Sequence, residues 1–254
     1  MTYTNYEQWK HTPLETTPLL SIIIPTYNEQ ERIIPTIGAI CSHLSNLGTP
    51  FELIIADDGS KDMTVGLVEA LGFVNLHLLK AKTNGGKGSA VRRGMLAAKG
   101  DYLLFSDADN STPIEEVSKL LKKLQDDHYD VVIGSRAAAG AEETEKSLKR
   151  RILSNGLRWV VNTILHIGVR DTQCGFKMYT REAARRLHSS QTLMGFSFDL
   201  EILYLASKFN YQIAEVPITW IDAPCSKVDA VKEARRFIRD LMKIKINDLR
   251  GRYA

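Results

Sequence analysis

The stretch LLFSDADNSTP, residues 103–113, contains the feature that decides how this chain folds. It begins with three large apolar residues, as a buried β-strand does, and runs directly into two carboxylates, Asp107 and Asp109. Carboxylates at the end of a buried strand are costly to desolvate unless something compensates them. The stretch therefore predicts an internal strand that ends either in a solvated turn or at a bound cation.

The same pattern, a short apolar run followed by a polar cluster, recurs along the first half of the chain. Strands are predicted at 19–25, 51–60, 75–79, 102–109 and 130–136, with helical patterns between them. The clusters that follow them read PTYNE, ADDGS, NGGKG, SDAD and GSR. Such alternation predicts right-handed crossovers and an α/β fold with a mainly parallel sheet flanked by helices. Ligands of such sheets bind at the carboxyl ends of the strands, so we expect the five clusters to share one edge.

The chain divides into three parts by composition. Residues 1–18 are polar and predict a loosely held N-terminal arm, 19–228 form the α/β domain, and 229–254 form a basic amphipathic helix. This helix lies either on an anionic bilayer or on the domain with a solvated basic face. Its apolar residues are predicted to form one stripe, namely Val231, Ala234, Ile238, Leu241 and Met242.

Bulk composition excludes several classes of protein. The net charge of +3 over 254 residues is too small to indicate nucleic-acid binding. Three distant cysteines without CxxC spacing predict neither a disulfide framework nor a zinc site, and favour a reducing, cytoplasmic location. No run approaches the ~18 apolar residues of a membrane span, so we expect any membrane contact to be peripheral.

Asp107 and Asp109 are the candidate metal ligands. They point to the same side if strand geometry continues, because alternate residues of a strand share a face. Mg²⁺ or Mn²⁺ prefers oxygen ligands and is often held by one or two carboxylates while substrate phosphates complete the shell. The other polar clusters on the same edge favour this interpretation over a solvated turn.

The first two clusters offer groups that could bind a nucleoside. Pro25 is a rigid stop, Tyr27 a face on which a base could stack, and Glu29 a polar contact. Asp57 or Asp58 could accept a hydrogen bond from a base N–H. Alternatively, Tyr27 is half-buried core beside Asn28 as a helix cap, and Asp57 and Asp58 belong to a turn in which Ser60 or Asp62 caps the next helix.

Two further clusters offer cations for a phosphate. Lys87 stands at a predicted helix N-terminus, which favours an anion, although NGGKG is neither a Walker A loop nor a GxGxxG fingerprint. Arg136 ends the fifth strand, and Arg150 and Ser154 follow; guanidinium groups pair with phosphate in bidentate fashion. No serine or cysteine nucleophile constellation is present in the sequence.

These motifs, in this order, resemble the family-2 inverting glycosyltransferases with the GT-A fold. The motifs are SIIIPTYNE, ADDGS, NGGKGSAVRRGM, DYLLFSDAD, VVIGSR and DTQCGFKMYTREAA. Within the family the chain resembles the polyprenyl-phosphate sugar synthases, and dolichyl-phosphate glucosyltransferases more than the mannosyl enzymes. The resemblance covers about 19–228.

The resemblance implies a nucleotide-sugar donor, with UDP-glucose favoured, a Mg²⁺ or Mn²⁺ ion, and a polyprenyl-phosphate acceptor. It also implies a role for each motif. At the donor, Pro25, Tyr27 and Glu29 would contact the nucleoside, Asp57 and Asp58 would lie near the base, and Asp107 and Asp109 would bind the metal. Phosphate would be bound by Arg136, Arg150 and Ser154, the sugar or acceptor would face Gln173, Cys174 and Gly175, and Lys227 would be the basic residue of an SK motif. The mannosyl subgroup usually has an arginine shortly before that motif, where this chain has Asp222.

The nature of the acceptor decides whether a general base is needed. A phosphate monoester is ionised near neutral pH, with a second pKa of ~6, and needs none. A hydroxyl acceptor would need a base, for which Asp199 or Glu201 is the candidate. Three alternatives stay open: a GDP-mannose-dependent synthase, transfer to a soluble or glycan hydroxyl acceptor, and a catalytically silent nucleotide-binding protein. The missing glycine fingerprint disfavours a dinucleotide-dependent oxidoreductase.

Overall fold

The structure is a computed structural model that describes residues 3–143, 161, 163–165, 167–221 and 230–253. All five predicted apolar runs form strands, and their polar clusters begin at or just beyond the strand ends. The strands of the described residues are β1 (Leu20–Thr26), β2 (Phe51–Asp57), β3 (Leu76–Lys80), β4 (Tyr102–Ser106), β5 (Val131–Ser135), β6 (Glu142–Glu143), β7 (Phe176–Thr180), β8 (Ile213–Pro217) and β9 (Thr219–Trp220).

Helices connect most of these strands and cover the sheet. They are α1 (Tyr3–His11), α2 (Ile33–Asn46), α3 (Thr64–Leu71), α4 (Lys87–Ala97), α5 (Val117–Asp126), α6 (Arg181–Ser190), α7 (Phe198–Lys208) and α8 (Ala230–Leu249), with a 3₁₀ turn at Ile114–Glu116. The alternation of strands and helices confirms the predicted α/β class.

The main sheet has seven strands in the order β3-β2-β1-β4-β7-β5-β8. All neighbours are parallel except β7, which runs antiparallel to both β4 and β5. The chain leaves β1 for β2 on one side and returns to pair β4 on the other. This reversal of strand order opens a crevice at the carboxyl ends of β1 and β4, where α/β sheets bind ligands.

Close packing holds α4 against this part of the sheet. Ile22, Ile23 and Ile24 of β1 are fully buried. A Cβ on Gly94 of α4 would lie 2.5 Å from Cγ2 of Ile23, so only glycine allows this approach. The helix therefore directs its first residue, Lys87, toward the carboxyl edge of the sheet.

The predicted loosely held N-terminal arm is wrong, because residues 3–11 form a helix that docks on the domain. Trp9 is buried, stacks on the Phe51 ring at 4.6 Å, and donates from Nε1 to the Phe51 carbonyl at 2.8 Å. Asn75 donates to the Trp9 and Thr12 carbonyls. Although most of its residues are polar, the segment is held on the domain by one large buried aromatic side chain, Trp9.

The C-terminal helix has two apolar faces rather than the one stripe predicted. Leu241, Phe237 and Ile244 are buried against the domain, whereas Ile238 and Met242 are about half exposed. The side chains of Val231 and Ala234 lie outside the described residues. Among the residues that the structure describes, no helix combines the length and apolar character needed to cross a bilayer.

Candidate active site

A cavity of about 420 Å³ lies at the carboxyl ends of β1 and β4, and four of the five predicted polar clusters meet in its wall. The residues that line it are Pro25, Thr26, Tyr27, Glu29, Asp58, Asn84, Gly86, Lys87, Ala90, Asp107, Ala108, Asp109 and Phe196. Most of the predicted nucleoside and metal residues are therefore neighbours.

Asp57, the last residue of β2, and Asp58, which follows it, have different partners. Asp57 is buried and accepts hydrogen bonds from the backbone N–H groups of Gly59 and Ser60, so it shapes its own turn. Asp58 lines the cavity and accepts from the N–H groups of Gly85 and Gly86 at 3.0 and 2.7 Å. Asp58 thereby fixes the glycine loop that carries Lys87.

The loop after β1 contributes the exposed aromatic face that the sequence predicted. Tyr27 is 40% exposed and lines the cavity. The next residue, Asn28, takes a left-handed conformation with φ of 57° and accepts from the Lys61 N–H, which ties this loop to the second cluster. Glu29 also lines the cavity and forms an ion pair with Arg32 at 2.6 Å. Burial raises the pKa of Glu29, and Arg32 opposes that shift.

Lys87 and Asp107 form an ion pair inside the cavity. Nζ of Lys87 lies 2.6 Å from Oδ1 of Asp107 and above the Phe105 ring, 5.2 Å from its centroid. Burial opposes the charge on Lys87, but Asp107 and the neighbouring carboxylates outweigh it and raise the pKa of Lys87. The ammonium group is therefore a permanent cation at the cavity floor.

Asp107 and Asp109 fit a divalent ion that also binds substrate phosphate. Both carboxylates line the cavity, and Asp109 accepts the Ser111 N–H through Oδ1, which orients it. In the described part of the chain, no group of three or more His, Cys, Asp or Glu side chains forms a complete metal cage. Two hard oxygen donors beside an open cavity match an ion whose remaining ligands come from substrate and water.

The backbone of Gly175 packs directly against Asp107. The Gly175 carbonyl accepts the Asp107 N–H at 3.1 Å, and a Cβ at this glycine would lie 1.9 Å from Oδ2 of Asp107. The backbone of the QCG segment is therefore in direct contact with the candidate metal ligand. Cys174 is buried, so its thiol does not face a ligand, and Gln173 is exposed outside the cavity wall.

Arg136, predicted at the phosphate, does not line the cavity. Local patterns do not indicate that antiparallel β7 inserts between β4 and β5, which moves the end of β5 two strands away, about 10 Å. Its guanidinium group binds Asp171 in bidentate fashion at 2.7 and 2.8 Å. Although burial acts the other way, Arg136 lowers the pKa of Asp171 to about 2.

Asp199 and Glu201, the candidate general bases, are buried and do not line the cavity. Asp199 is buried and pairs with the fully buried Lys177 at 2.6 Å; burial raises the pKa of Asp199, and Lys177 opposes the shift. Glu201 accepts from the backbone N–H groups of Thr192 and Leu193 and from the Tyr253 hydroxyl. Neither carboxylate lines the cavity, and both are already engaged by partners within the protein, so the structure does not bring the two candidate bases together with the predicted donor residues.

Three of the predicted site residues, Arg150, Ser154 and Lys227, lie outside the described residues. Two residues were not among those predicted, one in the cavity wall and one that pairs with the candidate base Asp199. Phe196, 53% exposed, lines the cavity although it lies far along the chain from the polar clusters. Lys177 could have been noticed as a lysine inside the otherwise apolar strand β7.

Comparison with known proteins agrees with this arrangement. Residues 21–187 match the family model "Glycosyl transferase family 2". A dolichyl-phosphate beta-glucosyltransferase from Dictyostelium discoideum is 38% identical over 246 residues, covering 91% of this chain and 75% of that protein. Proteins of the same name from Drosophila melanogaster and Homo sapiens are 37% and 34% identical, covering 91% and 92% of this chain and 76% and 77% of theirs.

Solved structures show the same fold. Glucosyl-3-phosphoglycerate synthase from Mycobacterium tuberculosis in complex with UDP superimposes with a TM-score of 0.66 at 20% identity, covering 92% of this chain and 86% of that one. Its complex with Mn²⁺ and UDP-glucose gives 0.66 at 21% identity, with 96% and 83% covered. The fold is therefore that of the GT-A glycosyltransferases, as the motifs predicted.

Proposed function

This chain belongs to glycosyl transferase family 2, and from that premise we propose that it transfers glucose from UDP-glucose to dolichyl phosphate or a similar polyprenyl phosphate, with inversion at the anomeric carbon. The carrying observation is the single cavity that joins an exposed aromatic face, Tyr27, to a carboxylate pair, Asp107 and Asp109. A nucleoside can stack at one end while its diphosphate reaches the other. The names of the relatives support the choice of sugar and acceptor.

The chemistry follows from the charge that develops when the sugar–diphosphate bond breaks. Mg²⁺ or Mn²⁺, held by Asp107 and Asp109, would neutralise negative charge on the departing diphosphate. Lys87 supplies a second positive charge from the start of α4, where the helix N-terminus also favours an anion. Asp58 keeps this loop in place through two backbone amides, so the cation is positioned before the substrate arrives.

The burial of Asp199 supports a phosphate rather than a hydroxyl acceptor. A lipid phosphate attacks without losing a proton, since its second pKa is ~6, whereas a hydroxyl needs a nearby base. The candidate base Asp199 is 5% exposed in its side chain and bound to Lys177. Loss of a working general base costs about 10²–10⁴-fold in rate. We expect Asp199→Asn to lose much less than 10²-fold in the rate of transfer to a polyprenyl phosphate. A loss of 10²-fold or more in a correctly folded variant would contradict the assignment of a phosphate acceptor.

The donor and acceptor can be tested directly. Purified protein is incubated with labelled UDP-glucose or GDP-mannose, a short polyprenyl phosphate and Mn²⁺, and the product is extracted into organic solvent. We expect label to be extracted with UDP-glucose and lost with chelator or in the Asp107→Asn/Asp109→Asn variant. Asp127→Asn is a matched control, because Asp127 is an exposed acid paired only at the surface. Transfer from GDP-mannose instead, or transfer that persists in chelator, would overturn the proposal.

We propose that the outer face of α8 contacts a membrane surface. Ile238, Met242, Ile246 and Leu249 are exposed at helical spacing, and the basic residues Arg239, Lys243 and Arg250 are exposed alongside. On the inner side, Asp240 accepts from the Ser197 hydroxyl, next to the cavity residue Phe196. The helix therefore combines docking on the domain with an apolar and basic outer face suited to anionic lipid.

Flotation with vesicles that contain anionic lipid tests this surface. Deleting the helix would also remove core residues such as Leu241, so substitution of its exposed residues is the sharper perturbation. The triple variant Ile238→Ser/Met242→Ser/Ile246→Ser should lose vesicle binding while its thermal unfolding stays that of a folded protein. Leu47→Ser, at an exposed apolar residue remote from α8, is the control. Equal flotation of the triple variant and the wild type would refute membrane contact through this face.

A further inference from the structure

Two positive charges, the Lys87 ammonium group and the proposed divalent ion, would both bind the Asp107 carboxylate. Oδ1 of Asp107 lies 2.6 Å from the Lys87 ammonium, and the same side chain is the proposed ligand of the divalent ion. An ammonium group and a divalent ion at one carboxylate repel each other strongly at such distances. Lys87 and the ion therefore compete for Asp107 unless an anion joins them.

The neighbouring carboxylates do not draw Lys87 away from Asp107, because each has other partners. Asp58 accepts from the N–H groups of Gly85 and Gly86. Glu29 pairs with Arg32, and Asp199 pairs with Lys177. Among the described residues that line the cavity, Lys87 is the only lysine or arginine. Among the described residues Lys87 forms an ion pair only with Asp107, so an ion that takes this carboxylate leaves the ammonium group without its partner.

A bound diphosphate would give Lys87 a new negatively charged partner. It carries negative charge that both the ion and Lys87 can bind. The side chain of Lys87 is 23% exposed, and its ammonium group lies 5.2 and 5.9 Å from the centroids of the Phe105 and Phe196 rings. A flexible four-carbon stem allows the ammonium group to turn from Asp107 to a bound diphosphate. We propose that Lys87 makes the binding of the divalent ion and of the nucleotide diphosphate interdependent, holding Asp107 against the ion alone and moving to the diphosphate when both bind. This inference rests on the metal-dependent function proposed above.

The exchange predicts a specific thermodynamic signature. In Lys87→Met, which keeps an apolar stem and removes the charge, Mn²⁺ alone should bind about tenfold tighter, because its competitor is gone. The factor by which UDP tightens Mn²⁺ binding should fall by about the same amount, a change within the usual range of couplings between sites. Lys87→Arg, which keeps the charge, should keep most of the coupling.

Titration of Mn²⁺ followed by electron paramagnetic resonance, with and without saturating UDP, measures both quantities without any turnover. Lys123→Met is the matched control, since it removes a lysine charge from a 2.6 Å ion pair with Asp127 at the surface. Unchanged Mn²⁺ affinity and unchanged coupling in folded Lys87→Met would overturn the inference while leaving the proposed function intact. Failure of the wild type to bind Mn²⁺ even with UDP would overturn both.

Discussion

Substituting Gly175 by alanine should disable the site although no charged residue is itself replaced. A Cβ at this position would lie 1.9 Å from Oδ2 and 2.4 Å from Cγ of Asp107, whereas ordinary van der Waals contact begins near 3.4 Å. The carboxylate must therefore retreat by roughly 1.5 Å, or the backbone that accepts the Asp107 N–H must move. Catalytic groups must be held within about 0.5 Å of their working positions, so this displacement is large.

The expected size of the effect follows from that displacement. Misplacing a catalytic group by about 1 Å can cost on the order of 10²-fold in rate, or about 2.7 kcal/mol of transition-state stabilisation. We therefore expect kcat/KM of Gly175→Ala to fall by at least about 100-fold. Mn²⁺ affinity, measured by calorimetry in the presence of UDP, should weaken in the same variant, because the ligand itself has moved.

Gly38→Ala is the matched control for this experiment. Gly38 lies inside α2, and a Cβ there would meet no atom within 4 Å. Alanine should stabilise the helix by about 0.5–1 kcal/mol and leave transfer unchanged. If Gly175→Ala folds and keeps wild-type kcat/KM and Mn²⁺ affinity, then Asp107 is not the group that holds the metal, and the reasoning fails.

Three further predictions concern stability. His188 is fully buried, and burial lowers its pKa to about 4 from an ordinary 6.5. The unfolded chain therefore takes up this proton first, and about 3 kcal/mol of stability present above pH 6.5 is lost as pH falls toward 4; urea unfolding at several pH values should show the loss, and His188→Gln, but not the exposed His11→Gln, should flatten it. Lys177→Met leaves Asp199 charged and buried, so it should cost about 3–5 kcal/mol, with much of that restored by Asp199→Leu in the double variant; a single variant as stable as the wild type would show that the pair carries no charge. Trp9→Ala should cost about 3–5 kcal/mol and open residues 3–18 to limited proteolysis, whereas a protease-resistant segment would mean that Trp9 is not its anchor.

Local sequence was sufficient to predict the first five strands and the polar clusters that follow them, four of which line the cavity. An apolar run followed by Asp107 predicts the end of a strand, because burial and turn formation are decided within a few residues. Parallel strands bring their carboxyl ends to one edge, so Tyr27, Lys87 and Asp107 could be placed together without knowing the strand order. The family resemblance named the same residues by motif.

Tertiary structure alone decided the rest. The antiparallel insertion of β7 separates Arg136 from the cavity and places Gly175 against Asp107. Both depend on pairings between distant segments, since Ser106 pairs with Phe176 and Ile133 pairs with Lys177. Phe196 reaches the cavity by packing of distant loops, and Asp199 is kept from solvent by Lys177. Short-range patterns fix which residues end a strand, but which distant chain segment lies beside that end is set by the packing of the whole sheet, and this determines which of the candidate residues can touch a substrate.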